Sequence, residues 1–543
     1  MGVQRVLVSD RVSEKGLEIL RGTEGISVDV RTGLSTEELR SIIGDYQALV
    51  VRSSTRVTAE VIDAAGKLRV IGRAGIGVDN VDVPAATRKG IVVMNTPQGN
   101  AVAAAEHTIS MMCALARKIP QATAALKSGQ WDRGRFMGVE LGGKILGLVG
   151  IGNIGSIVAG RAQGLMMKVI AHDPYVTEEM ARAKGVEPVS MEELLARSDF
   201  ISVHTPLTDE TRNLIDRSAF AKMRRGVMII NCARGGIVNE RALHEALESG
   251  RVAGAALDCF EVEPPLGNPL LEFEQVICTP HLGASTEEAQ EKVAVAIAEQ
   301  LVDYLTRGVL QNTVNVPSVN LDLLPDLMPF SDLAERLGRF LAQLFGSAIE
   351  EVAIQYVGDV TRIPLAPLKA AALKGLLHPH LGDIVNFVNA PLMAEERGIA
   401  VVERSTSKAE DYTSLISIAA GSRDESHSIT GSIFGRKQPR LLELNDSPLG
   451  GVLAGHLLVI RNEDRPGVIG NIGSVLGKKG INIASINVGR DRAGGRGITL
   501  LSLDAPLAKP IIDEISGLPH VMWVKQLELP LEPGSYLNRG KDS

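Results

Sequence analysis

The chain has 543 residues, too many for one ordinary domain at roughly 150 residues each, so three or four domains are expected. Hydrophobic residues make up 45% and charged residues 22%, enough for several sizeable cores, and aromatics at only 3% make those cores aliphatic and rich in Ala and Gly. A net charge of −7 without Lys/Arg runs argues against nucleic acid or an anionic membrane surface as the main partner.

Cys113, Cys232, Cys259 and Cys278 show neither CxxC spacing nor a paired His motif, so neither a disulfide framework nor a metal site is expected. The apolar stretches are short and broken, and MGVQRVLVSD reads directly as a first strand. A cytoplasmic protein with reduced thiols is the expectation.

In chain order, RVLVSD, ISVDVR, ALVVRS, LRVIGRAG and IVVMNTP read as buried strands separated by helical runs such as TEELRSII and AEVIDAA. This alternation predicts a parallel sheet with crossover helices. One long helical stretch follows, AVAAAEHTISMMCALARKIPQATAALKSG. Alternation restarts at KILGLVG and continues through KVIAHD, FISVHTP, VMIINCA, AGAALD and VICTPH, which predicts a second doubly wound sheet. From Glu287 a helical run leads to NTVNVPSV, placed to cross back to the first lobe. The expected division is an α/β lobe over 1–98 completed by 290–316, and a Rossmann or flavodoxin-like lobe over 99–289.

Residues 318–452 carry a helix near SDLAERLGRFLAQLF and strands at EEVAIQYVGD, TSLISIAAGS, SHSITGSIFG and PRLLELN, an α+β pattern without a catalytic motif. DSPLGGVLAG reads as a turn-rich linker. Over 453–530, HLLVIR, VIGNIGSVLGKKG, INIASINVGR, GITLLSL, AKPIIDEIS and HVMWVKQLEL give βαββαβ, the ferredoxin-like order. Asp464 and Pro466 occupy cap and first-turn positions there, and Gly480 a helix stop.

Gly150, Gly152 and Gly155 form GxGxxG between the strand KILGLV and a helical segment, with Asn153 and Ile154 inside the motif. The first glycine permits a tight turn, the second lets backbone N–H groups approach a pyrophosphate, and the third lets the helix pack close. The next strand ends in Asp173, near the offset of the acid that binds a ribose hydroxyl. A carboxylate there repels a 2′-phosphate, so NAD is the expected cofactor.

Hydride transfer at a C–OH carbon needs a base for the hydroxyl proton and a cation to fix a carboxylate and polarise the carbonyl. Arg234, Glu263 and His281 stand at or beyond strand ends, where open α/β sheets bind ligands. A surface charge or ion pair is the alternative for Arg234, while Glu261 and Glu274 compete with Glu263, and His107, His172, His204, His244, His378 and His380 compete with His281. NCARGGIVNE, ALDCFEVEPP and TPHLGAST resemble, in order and spacing, the motifs of the D-isomer-specific 2-hydroxyacid dehydrogenases, and the likeness covers about residues 1–316. It implies His281 as acid/base, Glu263 as its partner and Arg234 on the substrate carboxylate and carbonyl. It also implies His204, Thr205 and Pro206 beside the nucleotide, and Cys232, Ala233, Asp258 and Gly283 toward the nicotinamide. A carboxylate beside His281 should raise its pKa above about 6.5. His107, within the long helix, is expected to be structural.

Arg52 and Arg73 also end strands, and Arg73 leads into Gly75 and Gly77, whose backbone N–H groups can face an anion. With Arg234 committed to a carboxylate, further cations suggest a phosphate; structural ion pairs are the alternative. VVRSST, RAGIGVDNVD, ATRKGI, VMNTPQGN and QWDRGRFMG resemble family members that oxidise D-3-phosphoglycerate. That likeness implies Arg52 and Arg73 on the phosphate with Ser53 and Gly75 beside them, Arg133 reaching across a dimer, and side activity on 2-oxoglutarate.

IRNEDRPGVIGNIGSVLGKKGINIASINVGR resembles an ACT domain, a module that often binds amino acids, and 318–452 resembles the intervening domain of long relatives. The resemblance implies an L-serine effector at Asn462, Asp464 and Asn482 in a dimer interface, and a homodimer or homotetramer. An ACT domain serving assembly alone is the alternative. Two other readings stay open: a dehydrogenase for glycerate or glyoxylate, and an NAD-sensing corepressor on the same fold.

Overall fold

The computed structural model describes residues 3–531 apart from Gln98, 319–322, 346–347, 410, 424 and 436–437. Gln98, in the VMNTPQGN segment, therefore lies outside the described residues, as do 319–322 of the expected 318–452 unit.

Five parallel strands form the first sheet: β1 (Gln4–Val8), β2 (Ile26–Val30), β3 (Ala48–Val51), β4 (Val70–Arg73) and β5 (Val92–Met94), ordered β2-β1-β3-β4-β5. β3 is buried along its whole length, the mark of a strand covered by helices on both faces. The second sheet holds β6 (Ile145–Val149), β7 (Lys168–His172), β8 (Glu187–Pro188), β9 (Phe200–Val203), β10 (Val227–Asn231), β11 (Val252–Leu257) and β12 (Val276–Cys278), ordered β12-β11-β10-β9-β6-β7-β8. Strand order reverses between β1 and β3 and between β6 and β9. Loops leaving such switch points open the crevice in which α/β sheets bind ligands.

After β12 the helix Glu287–Arg307 returns to the first sheet, packing on the helix Glu14–Arg21 and on β4. Gly72 of β4 makes that approach possible, because a Cβ there would lie 2.9 Å from Ile297. Asn315 closes the return: its Oδ1 accepts from the Val93 amide and its Nδ2 donates to the Ile91 carbonyl, both at 2.9 Å.

The stretch that reads as one long helix is two, Ala101–Arg117 and Ile119–Lys127. Lys118 takes φ 51°, and Pro120 in the next turn lacks the N–H a continuous helix needs.

The third sheet is mixed: β13 (Glu351–Gly358), β14 (Ala400–Thr406), β15 (Ser414–Gly421), β16 (Ser426–Phe434), β17 (Gln438–Leu444) and β18 (Ser447–Val452), ordered β14-β13-β15-β16-β17-β18. DSPLGGVLAG is therefore no linker. Asn445 and Asp446, at φ 50° and 58°, make the two-residue hairpin turn into β18. Gly451 serves close sheet packing, since a Cβ there would fall 2.6 Å from Leu500, whereas Gly455 does turn the chain, at φ 73°.

β19 (Gly455–Glu463), β20 (Ile483–Arg490), β21 (Arg496–Leu503) and β22 (Val521–Leu529) form the fourth, antiparallel sheet in the order β20-β21-β19-β22. One core joins it to the third, with Leu337 and Phe340 against Leu457, Val459, Leu500 and Leu527. Buried Arg336 ties the junction, donating to the carbonyls of Leu453 and Pro530 at 2.6 and 2.5 Å. Asp464 does not cap the helix Val468–Lys478. Its carboxylate instead takes the Gly494 amide and Arg490, both at 3.0 Å, and Gly467 stands at the cap with φ 92°. Gly480, at φ 71°, ends that helix. Among the described residues no helix is long and apolar enough to cross a membrane.

Candidate active site

Gly150 turns the chain out of β6 at φ 94°, under the His204 carbonyl, where a Cβ would sit 2.8 Å from the oxygen. Gly155, in the first turn of the helix Asn153–Gly164, lies so close on that turn that a Cβ would be 2.2 Å from the Gly150 oxygen. At Gly152 a Cβ would meet nothing within 4 Å, so the space before the helix is open, and its first N–H groups carry no side-chain cap. Asp173 accepts from the Ile151 and Tyr175 amides, each at 2.9 Å, which fixes its carboxylate at the rim. Thr205 Oγ1 beside the turn is buried without a partner among the described residues. A bare turn, an open helix N-terminus, a fixed acid and an orphaned hydroxyl fit a dinucleotide. The His204 carbonyl borders this turn while its side chain faces inward: burial lowers its pKa to about 4, and its Nε2 meets Ser202 Oγ at 2.9 Å, so the imidazole packs neutral beneath the turn. Pro206 is exposed just beyond.

Across the crevice, buried Asn231 ends β10 and shapes the next turn. Its Oδ1 accepts from Ala233 N at 3.1 Å and its Nδ2 donates to the Arg234 carbonyl at 2.9 Å. Gly235 then seats on Phe260, with room for no Cβ. The Phe260 amide donates to Glu263 Oε1 at 3.1 Å, and both Glu263 oxygens face His281 Nδ1, at 3.0 and 2.9 Å. That leaves Nε2 as the edge presented to a reactant. The Glu263 hydrogen bond raises the His281 pKa above its ordinary value, against burial and the nearby Arg234. Burial pushes Glu263 up, but hydrogen bonds from His281 and the Phe260 amide outweigh it and hold the carboxyl below its usual value.

His281 sits at φ 55°, uncommon for a residue with a side chain. Asp258, 1% exposed, grips the loop on both sides. Its Oδ1 accepts from Leu282 N at 2.7 Å and Thr279 Oγ1 at 2.5 Å, and its Oδ2 from Gly283 N at 2.8 Å. His107 Nε2 reaches Asp258 at 3.1 Å and Thr279 at 3.0 Å, so this helix residue belongs to the site's support. Burial pushes the Cys232 thiol up to about 12, which keeps it protonated.

On the first-lobe wall, Asp10 after β1 organises the loop after β3. Its Oδ2 accepts from the amides of Arg52, Ser54 and Thr55 at 2.6, 3.3 and 3.2 Å. Arg73 lies along Gly75, at φ 148°, where a Cβ would fall 1.6 Å from Nη1. Burial first, then the charges of Arg234 and Arg52, pull the Arg73 pKa down to about 10, with Asp79 and Asp10 opposing. Its Nε is buried without a partner among the described residues. Crowded guanidiniums with an orphaned donor make a receptor for an anion bearing more than one negative group. Ser53 is exposed at the mouth.

Not every predicted site residue converges. No hydrogen bond or ion pair among the described residues joins Arg133, on an exposed turn, to this crevice. In the fourth sheet, Asn462 donates to the Glu463 carbonyl at 2.8 Å and Asn482 to Asp504 at 2.8 Å. The register Ile483↔Leu503↔His456 puts Asn482 at the start of β19, whereas Asn462 and Asp464 stand at its far end. One copy therefore does not bring the three together. Asp10, Asp79 and Asn231 were not singled out from the sequence. Asp10 and Asn231 share the signal that marked Arg234, a polar side chain at or just past a strand end.

Residues 109–283 match the D-isomer specific 2-hydroxyacid dehydrogenase NAD binding domain, 326–445 the D-3-phosphoglycerate dehydrogenase intervening domain, and 456–520 the ACT domain. The chain is 46% identical over 526 residues to D-3-phosphoglycerate dehydrogenase of Methanocaldococcus jannaschii, covering 97% of this chain and 100% of that one. Identity to the Bacillus subtilis enzyme is 41% over 526 residues, with 97% and 100% covered. Among solved structures, D-lactate dehydrogenase from Aquifex aeolicus complexed with NAD and lactic acid aligns with TM-score 0.52 and 27% identity, covering 58% of this chain and 100% of that chain.

Proposed function

The chain belongs to the D-3-phosphoglycerate dehydrogenase family, and we propose that it acts through the crevice lined by His281, Glu263 and Arg234 on one side and Arg52 and Arg73 on the other. It is an NAD-dependent oxidoreductase that oxidises D-3-phosphoglycerate to 3-phosphohydroxypyruvate, the opening step of L-serine biosynthesis. NAD supplies the hydride acceptor. His281 takes the C2 hydroxyl proton at Nε2 while Glu263 stabilises the imidazolium at Nδ1, and in reverse the imidazolium returns that proton. Arg234 holds the carboxylate and carbonyl oxygen, and Arg52 and Arg73, with Ser53 and Gly75, hold the phosphate. Gly150, Gly152, Asn153, Ile154, Gly155, Asp173, Thr205 and Pro206 take the nucleotide, and Cys232, Ala233, Asp258 and Gly283 border the nicotinamide end.

The observation that carries this reading is the crowding of Arg52, Arg73 and Arg234 in the crevice that also holds the His281–Glu263 pair. Glycerate and glyoxylate carry no phosphate for Arg52 and Arg73 to hold, which favours the phosphorylated acid, and the His281–Glu263 acid/base pair favours an enzyme over a corepressor. Arg73→Ala should raise KM for the phosphorylated acid far more than for an unphosphorylated one such as D-glycerate. Equal effects on both would refute phosphate binding there.

The fourth sheet is read as an L-serine effector module. Asn462 and Asp464 of one copy with Asn482 of another offer groups suited to an amino acid, and their placement at opposite ends of β19 supports a shared site. A homodimer or homotetramer follows, with Arg133 reaching toward a second copy. Four free cysteines fit the cytoplasm.

A further inference from the structure

Arg234 leaves the seven-stranded sheet, yet its guanidinium is held by the five-stranded one. Nε donates to Asp79 Oδ2 at 2.9 Å, and Nη1 donates to the Ala233 carbonyl at 2.7 Å. Nη2 lies against Gly77, where a Cβ would fall 1.8 Å from it and 2.7 Å from the same Asp79 oxygen. A guanidinium is a rigid planar fork, so tying two of its nitrogens fixes the direction of the third. Asp79 and the bare backbone of Gly77 thus settle where the fork points.

We propose that Asp79 is a positioning residue for the oxidation, aiming the Arg234 fork at the substrate carboxylate from the opposite lobe. The proposal rests on the reading of Arg234 as the carboxylate-binding group. Asp79 is 63% exposed at its side chain and Arg234 26%, a setting in which an ion pair adds little to stability. Its value lies in geometry. An ordinary surface pair leaves the arginine free to swing, whereas here Gly77 and the Ala233 carbonyl close off the alternatives. Asp79 also sets a negative charge against the mutual repulsion of Arg73 and Arg234. Because its two halves come from different lobes, the carboxylate fork is complete only when the lobes are together.

The test is a double-mutant cycle on the full-length enzyme: Asp79→Asn, Arg234→Lys and the double variant, assayed for NADH formation from D-3-phosphoglycerate. NADH affinity is measured on each by fluorescence titration. Asp79→Asn should lower kcat/KM roughly 10- to 100-fold, as a displacement of about 1 Å in a positioned group does. NADH affinity should hold, and Asp79→Glu should recover part of the loss. In the Arg234→Lys background, where no fork exists to aim, Asp79→Asn should cost little more. Equal cost in both backgrounds, or a silent Asp79→Asn, would overturn the positioning role. An Arg234→Lys enzyme of unchanged kcat/KM would overturn the reading of Arg234 itself and the proposal with it.

Discussion

Replacing Asp258 with Asn tests what holds His281 in place. The wild-type carboxylate faces the Leu282 and Gly283 amides, the Thr279 hydroxyl and His107 Nε2. An asparagine keeps one acceptor oxygen and turns the other into an NH2 group. Whichever way that amide faces, at least one of the Leu282 and Gly283 N–H groups loses its acceptor. A buried donor left without its acceptor costs about 1–3 kcal/mol, so a loss of that size is expected. The loop then carries a second load. A left-handed backbone at a residue with a side chain costs on the order of 1–3 kcal/mol and persists only where its surroundings over-determine it. Asp258 provides that constraint, pinning Thr279 before His281 and Leu282 and Gly283 after it. Released, His281 relaxes and its imidazole leaves Glu263, and about 1 Å of drift costs on the order of 100-fold in rate. Urea unfolding followed by circular dichroism, with kcat measured on the same preparation, reads both effects. A lower urea midpoint together with a kcat reduced about 100-fold is the expected result. Wild-type kcat at either midpoint would refute the claim that Asp258 holds the catalytic geometry.

Two further variants read the site directly. Glu263 raises the His281 pKa, so imidazolium survives to higher pH than in free histidine; Glu263→Gln should move the falling limb of 2-oxo-acid reduction, and the rising limb of oxidation, to lower pH. Reduction then loses most activity on the alkaline side and keeps part of it in acid, and an unchanged pH profile would refute the pairing. Gly155→Ala places a Cβ 2.2 Å from the Gly150 oxygen, forcing the helix and turn apart by about 1 Å, so kcat/KM for NAD should fall on the order of 100-fold. NADH titration giving wild-type affinity would contradict the nucleotide cradle.

The parallel sheets and the glycine turn were legible in the sequence, because strand–helix alternation and motif spacing are local signals, whereas the choice of Glu263 over Glu261 and Glu274, and of His281 among the histidines, came from the family likeness. Asp10, Asp79 and Asn231 were not legible, since each acquires its role from a partner beyond the reach of spacing: Asp10 pairs with a loop some forty residues on, and Asp79 with an arginine 155 residues away. His107 looks like any polar residue on a helix until Asp258 arrives against it. Gly451 misled for a physical reason. Glycine marks turns, but it equally marks places where one sheet lies on another, and β18 is such a place. Asp464 had the spacing of a helix cap, yet Arg490 and the Gly494 amide claim its carboxylate. Lys118 breaks the long helix with a left-handed residue, and Pro120 two positions on is the local signal of that break.

The most direct measurement is NADH formation at alkaline pH from D-3-phosphoglycerate against D-glycerate, with and without L-serine. The three-arginine crevice predicts kcat/KM higher for the phosphorylated acid by roughly 100-fold or more, and the proposed effector role of the fourth sheet predicts a rate that falls when serine is added. Equal turnover of the two acids, or turnover of neither, would contradict the assignment of Arg52 and Arg73 to a phosphate.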